Sequence, residues 1–352
     1  MPSQITHVLG GWRSRNDASP DPAFALGCQG PDVFAHGRRT KPFALSYARL
    51  LHRRGYGDFC VSCARLLRDT QDPVLLSWFS GFLTHQALDK ALHPYIVCRT
   101  PSWSGTNQDN QVLRGVSPAL YHAFFERILD VLLYELYEQH PVVHFNARKV
   151  FHADPAAIDC IVALISRCLR ETYPDQSATD ADLDERIQNA FADTYYFYAL
   201  TDPSRTNAPS HELPRSIAAY ASRGASGVAL LFPVALDTSI DYLNLTSSPW
   251  PDPVSGLSRR ESVPELFEKG ISNARIALEL FASVLDGTSS CESLGDLISN
   301  DCLSIARPDG SIAVASYRRP FPLESALLQE VRTRQEWLQS CGSVDRTDGE
   351  LI

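Results

Sequence analysis

Three side chains that bind metals stand four residues apart in His85-Gln86-Ala87-Leu88-Asp89-Lys90-Ala91-Leu92-His93, and the stretch continues into Pro94-Tyr95. Composition predicts only about 0.02 chance occurrences of His-x3-Asp-x3-His in such a chain. The apolar run before it, from Leu75 to Leu83, reads as a buried helix entering a core. On a helix each four-residue step turns a side chain by about 40° and raises it by about 6 Å, so the three groups share one face. His85 and Asp89 are near enough to hold one ion. His93 lies about 12 Å along the axis from His85, whereas metal–nitrogen bonds are about 2 Å long, so ligation by all three requires two metals. Pro94 disfavours helical backbone at His93 and is expected to end the helix there, leaving that imidazole at the mouth of a site. The competing reading is an ordinary hydrogen-bonded helix face.

A second pair, His122-x3-Glu126, sits in the apolar stretch from Tyr121 to Leu129. A histidine with a carboxylate one turn later is a common way to hold zinc, but composition alone yields roughly 0.4 such pairs, so this one carries no weight by itself. Cys60 and Cys63 form a single Cys-x2-Cys with no second pair to complete a four-sulfur site, and are expected to be small buried side chains.

The elements that must position these residues read as helical, because few runs alternate polar and apolar residues as strands do. Helices are expected over 43–53, 58–69, 74–93, 117–139, 181–200, 213–222 and 322–339. Asp154-Pro155 opens another, with a capping side chain followed by proline at the first helical position. Ser262-x2-Glu265 is a capping box for a helix of five or six turns that closes at Gly287. A long polar loop is expected from Arg99 to Gly115, an irregular loop over 246–261, and a frayed tail over 341–352.

The chain has 352 residues, a hydrophobic content of 44% and a charged content of 21%, values of an ordinary globular protein. No stretch approaches the roughly 20 apolar residues of a membrane span, so no transmembrane segment is expected. The start, Met1 to His7, lacks the pattern of a secretory leader, and nine scattered cysteines fit reduced thiols better than a disulfide framework; a cytoplasmic location is expected. A net charge of −9 argues against nucleic acid, whose binding needs clustered Lys and Arg.

Taken together, His7, the Gln29-Gly30-Pro31-Asp32 loop, His52 in Leu-Leu-His-Arg-Arg-Gly, the His85/Asp89/His93 helix and the His122/Glu126 helix resemble the zinc-dependent phospholipase C family. The similarity covers about residues 5–130, and its most specific pieces are Gly-x-x-Gly-Pro-Asp, Gly-Phe-Leu-x-His-x-Ala-Leu-Asp and His-Pro-Tyr. Asp241-Tyr242-Leu243-Asn244-Leu245 and Pro249-Trp250 look like the extended bacterial members. The resemblance implies an all-α fold, a multi-helical phospholipase C-like bundle enclosing a zinc cluster. It implies a catalytic region over 1–150 and a helical extension over 151–340 packing on it. It implies that Asp32, His52, His85 and Asp89 hold one zinc, that His93, His122 and Glu126 hold a second, and that His7 and Asp89 hold a third, with Asp89 bridging. Two zinc ions are expected, and a third is conditional on completing the His7 position, where secreted members use an amino-terminal tryptophan absent here. The amine of Pro2, exposed by removal of Met1, is a candidate substitute.

Zinc with an open coordination position lowers the pKa of its water, and two ions about 3.5–4 Å apart stabilise both the attacking and the leaving oxygen of a phosphodiester. The expected activity is therefore hydrolysis of a phospholipid or a soluble phosphodiester, with Asp32 also orienting or deprotonating the attacking water and carboxylates fixing the imidazole tautomers. A single-strand nuclease or nucleotidase with a similar trinuclear site, and a non-catalytic zinc-stabilised helical protein, are the alternatives. The family's choline-binding aromatic directly after the loop aspartate is replaced by Val33, with Phe34 one position later. His36, His140, His144, His152 and His211 fit no motif, although His36 is close enough in sequence to Asp32 to reach the cleft.

Overall fold

The computed structural model describes residues 4–15, 21–37, 39–102, 118–206, 232–233, 236, 239–305, 315–321 and 329. Within them the fold is all-α. In chain order the helices that matter to the site are α1 (Gln4–Arg15), α2 (Pro22–Cys28), α3 (Asp32–His36), α4 (Leu45–Arg53), α5 (Tyr56–Thr70), α6 (Pro73–Arg99) and α7 (Pro118–Glu138). After a short turn, α8 (Ala147–Val150), comes α9 (Pro155–Thr172), and α10 (Pro174–Ser177) leads to α11 (Leu183–Leu200). Then follow α12 (Pro203–Thr206), α13 (Val263–Leu285) and α14 (Cys291–Ile298). None of these helices is long and apolar enough to cross a membrane.

The 27-residue α6 is the axis of the molecule. Asp72 starts it by accepting from the Val74 and Leu75 amides at 2.9 and 3.0 Å, ahead of proline at the first helical position. Its flanks are buried almost all round, with Trp78, Phe79, Phe82 and Leu83 at the front and Tyr95, Ile96 and Cys98 at the back. Helices α1, α2, α7 and α13 pack against it. The crossing with α2 is close because Gly27 and Gly81 face each other's helix, and a Cβ on either would collide with the Trp78 or Phe24 carbonyl.

Proline 94 does not end this helix, contrary to expectation: α6 runs five residues beyond it to Arg99. Interior proline costs about 3 kcal/mol. The turn that follows buries Tyr95, Ile96, Val97 and Cys98, and each large apolar side chain removed from water returns about 1.5–3 kcal/mol, which outweighs that cost. His93 is consequently buried, 5% exposed, and not at a mouth.

Other boundaries lie within a few residues of those expected. Asp154 caps α9 through the Ala156 amide, and the Ser262/Glu265 capping box opens α13, with Gly287 at φ +72 just beyond its end. The 246–261 stretch differs. It contains a small antiparallel pair, β1 (Trp250–Pro251) and β2 (Ser258–Arg259), with Trp250 opposite Arg259. Asp252 folds the connection by accepting from the Val254 and Ser255 amides, and Trp250 anchors it by donating to Glu261 O at 3.0 Å. The expected helices over 213–222 and 322–339, nearly all of the 99–115 loop, and the 341–352 tail lie outside the described residues, of which 329 and 99–102 alone fall in those ranges.

Candidate metal centre

Five helices deliver the eight expected ligands to one place. His85, Asp89 and His93 come from α6, His7 from α1, Asp32 from the first position of α3, His52 from the last turn of α4, and His122 and Glu126 from α7. Asp32 is thus helical rather than in a loop: Gly30, at φ +53, reverses the chain after α2 so that Pro31 can start α3. Glycine is required at 30 for a second reason, since a Cβ there would strike the His85 ring.

The donors fall into three groups, each with ligand atoms within 4.8 Å of one another: Asp32, His52 and His85; His7, His85 and Asp89; His93, His122 and Glu126. His85 is common to the first two, and Asp89 borders both. Its Oδ2 lies 3.3 Å from His85 Nε2 and 4.0 Å from His52 Nε2, while Oδ1 lies 3.2 Å from His7 Nε2. Asp32 Oδ1 is 3.1 Å from His52 Nε2. In the third group Glu126 Oε1 is 3.2 Å from His122 Nε2 and 3.5 Å from His93 Nε2. His93 turns its other nitrogen to Asp89 Oδ1 at 3.4 Å, so its ring stands between the two halves.

Backbone carbonyls and one hydroxyl orient three of the imidazoles. His52 Nδ1 bonds Ala48 O at 2.7 Å, His85 Nδ1 bonds Cys28 O at 3.1 Å, and His122 Nδ1 meets Thr100 Oγ1 at 3.3 Å. With Nδ1 carrying the proton toward these oxygens, each Nε2 presents a lone pair to its group. Carboxylates were expected in this role, and the structure assigns it elsewhere. A backbone carbonyl has no sequence signature, so Cys28 and Ala48 could not have been found; Thr100, at the end of α6, carried no motif.

The donor set fits divalent cations. Asp32 Oδ1, His85 Nε2, Asp89 Oδ2 and His93 Nδ1 are buried without a well-formed hydrogen bond, although each lies within 3.4 Å of another donor of the cluster. Buried polar atoms ordinarily find partners, and atoms that converge without bonding each other are arranged as ligands around an ion. Burial would raise the Asp89 pKa, but His93, His85 and His7 outweigh it and hold this carboxyl well below the usual range. Asp32 is likewise held down against burial by His52 and His85. Burial lowers His85, helped by His7, and lowers His122, whereas the Asp32 contact overcomes burial and raises His52. The buried groups can hold a metal ion.

No family model matches this chain, and no curated protein or solved structure matches it either. The site must be read from its own geometry.

The remaining singled-out residues lie apart from the cluster. His36 is buried, but its ring stacks on Phe197 at 4.5 Å and it joins none of the three groups. His140, His144 and His152 are exposed, and His211 lies outside the described residues. Cys60 and Cys63 are fully buried, with Cys63 Sγ 3.3 Å from Cys168 Sγ.

A buried polar network missed by sequence reasoning ties the ligand-bearing elements together. Asp130 on α7 accepts from the Thr6 amide at 2.8 Å and from Arg127 at 3.1 Å, and Arg127 also donates to Gln4 Oε1 at 3.0 Å. Gln29 donates to Gln4 O at 3.1 Å and accepts from the Tyr198 hydroxyl at 2.5 Å. The elements carrying His122, His7 and Asp32 are thereby bonded to one another. Asp130 follows Glu126 by four residues, a spacing that could have marked it.

Proposed function

We propose that this chain is a zinc-dependent phosphoric-diester hydrolase of the phospholipase C kind. The observation that carries the reading is the set of three adjoining His/carboxylate groups, two of them sharing His85 and all bordering Asp89, of which the His93/His122/Glu126 group offers three protein ligands among the described residues. Structural zinc sites are normally closed by four protein ligands, and a three-ligand set leaves a position for water or substrate. Mixed imidazole and carboxylate donors suit zinc better than calcium or magnesium, which take oxygen ligands.

Asp32, His52, His85 and Asp89 Oδ2 would hold one zinc; His93, His122 and Glu126 a second; His7 and Asp89 Oδ1 a third. Bound there, zinc supplies Lewis acidity and brings the pKa of water toward neutrality. The protein's own part is orientation. Asp89 would serve two positions through its two oxygens. Asp32 directs Oδ1 at His52, and its second oxygen would hold or accept a proton of the attacking water. Burial of the ligands, His85 wholly so, keeps competing water out. Val33 and Phe34 are 1% and 2% exposed, so neither offers an open aromatic face to a choline headgroup. The cytoplasm is the proposed location, supported by the eight described cysteines, all free thiols.

The test is the zinc-to-protein ratio by elemental mass spectrometry for wild type, His85→Ala and His122→Ala, followed by assays on phosphatidylcholine, bis(p-nitrophenyl) phosphate and single-stranded DNA. Two or three zinc ions in wild type, fewer in each variant, and lipid or ester hydrolysis are expected. A folded, zinc-loaded protein inert toward all three substrates would return zinc to a structural role. Full turnover by zinc-replete Asp32→Asn would remove Asp32 from the proton path.

A further inference from the structure

Two of the eight ligands break the surface, His52 at 16% and His122 at 15% side-chain exposure, while the other six are at 6% or less. Substrate must reach the cluster past these two rings. Beside His52 the sequence is Arg49-Leu50-Leu51-His52-Arg53-Arg54. Tyr47, Ala48 and Leu51 point α4 into the core, and Arg49 and Arg53 are exposed. At about 100° per residue, Arg49 lies about 60° around the helix from His52 and one turn before it, and Arg53 lies about 100° around on the same side. His52 therefore marks the edge between buried and solvent faces, and the two guanidinium groups line the solvent side of that edge.

Among the described residues neither arginine is drawn into an ion pair. The helix dipole accounts for a cation at Arg53, in the last turn, but not for Arg49. Arg54 follows as the C-cap, in extended backbone beyond the helix, and does not share the helical register of Arg49 and Arg53.

We infer that Arg49 and Arg53 form a basic rim that receives a second anionic group of the substrate, outside the phosphodiester that the metal groups would bind. The inference rests on the phosphodiesterase reading for the position of the first phosphate. It is reinforced by the buried Val33 and Phe34, which offer no open aromatic face beside Asp32 to a quaternary ammonium. Guanidinium is suited to a phosphomonoester, which it can grip through two parallel hydrogen bonds. The substrate class is thus a phosphodiester bearing an additional phosphate, supplied as a lipid headgroup or as a free soluble ester.

The test uses a ligand pair that differs by that one group. Glycerophosphoinositol and glycerophosphoinositol 4-phosphate are titrated calorimetrically into the zinc-loaded full chain, wild type and Arg49→Gln/Arg53→Gln, and their turnover is followed in parallel. The 4-phosphate is expected to bind wild type about tenfold more tightly, an advantage falling below about threefold in the double variant and in high salt. Both variant positions are exposed, so zinc content and affinity for the unphosphorylated ligand are expected to hold. Equal affinities in wild type, or an advantage that survives in the double variant, overturn the rim. Discrimination without turnover keeps the rim and sinks the hydrolase reading; turnover without discrimination does the reverse. Repeating the comparison with the corresponding inositol lipids in mixed micelles identifies the source: a larger advantage there than in solution assigns the headgroup of a lipid, and an equal one assigns the free ester.

Discussion

Replacing Asp130 with alanine should cost this protein much of its stability and loosen its third metal position first. The carboxylate has two buried dependants: the Thr6 amide, in the first turn of α1, and the Arg127 guanidinium, 0% exposed. Burial pulls the Arg127 pKa down and Asp130 opposes that pull. Without Asp130 the arginine keeps, among the described residues, Gln4 Oε1, the Glu126 charge and the face of Phe232, whose ring centre is 4.5 Å away. Breaking a buried pair by deleting one partner costs about 3–5 kcal/mol, and orphaning a buried amide about 1–3 kcal/mol. The two losses share one carboxylate and will not add fully, so about 4–6 kcal/mol is expected, against a total of about 5–15 kcal/mol for a typical fold. Urea unfolding of the metal-free protein, followed by far-ultraviolet circular dichroism, measures this. Asp130→Asn keeps an acceptor for Thr6 while removing the charge opposite Arg127, and should fall between wild type and alanine. Thr6 precedes His7, so in folded Asp130→Ala, where the Thr6 amide loses its acceptor, a chelator titration should strip the His7/Asp89 ion before the His93/His122/Glu126 ion. A loss below about 1 kcal/mol in Asp130→Ala would show that the network is not holding α1, and the reasoning would fail.

Further outcomes follow from the site itself. Asp89→Asn should remove two zinc ions per chain where His122→Ala removes one, because Asp89 serves two groups through its two oxygens; native mass spectrometry that finds equal losses refutes the bridge. Gly30→Ala forces a left-handed φ on alanine, costing about 1–2 kcal/mol, and pushes the His85 ring. Zinc held with His85 should weaken while the His93/His122/Glu126 ion is unchanged; uniform weakening, or none, contradicts this. For acid release, His52 has a raised pKa and stays protonated to higher pH, whereas His85 and His122 are lowered and give up their protons more readily. Protons compete with metal, so on acidification through about pH 7–6 the His52 group should lose zinc before the His122 group. Chelator competition in His122→Ala and in His52→Ala isolates the two, and the opposite order would sink the assignment.

Helical periodicity made the central helix legible and converted spacing into position, with 85, 89 and 93 on one face and 122 and 126 on another, whereas His7, Asp32 and His52 were singled out only by the family resemblance. It could not reveal how α6 ends. The rule that a residue before proline avoids helical backbone is local, and at His93 it lost to the burial of Tyr95, Ile96, Val97 and Cys98 one turn on. The small strand pair at Trp250 and Arg259 was hidden for a related reason. Two residues per strand give no alternation to detect, and the pair forms because Asp252 folds the turn and Trp250 is buried beneath it. Tautomer control escaped because the partners of His52 and His85 are main-chain oxygens, present at every residue and selected only by packing.

The geometry of α6 also explains why so many other elements converge on it. One helix can aim at most two side chains at one ion, since ligands eight residues apart are about 12 Å apart along the axis. Every group therefore needs donors from elsewhere, and each arrives through a close approach that the local sequence permits. The glycine crossing of α2 with α6 brings Cys28 O within reach of His85, and Gly30 then turns Asp32 back toward His52. The Asp130 clamp draws α1 onto α7, which sets His7 beside Asp89. Burying three carboxylates among five imidazoles would be costly without cations, because a carboxylate removed from water needs paired charge or a metal. In the metal-free protein His52 is the imidazole whose pKa the Asp32 contact raises against burial. Under the proposed zinc reading, metal binding at the first group would displace a proton from His52, which would couple occupancy of that group to pH through the Asp32–His52 contact.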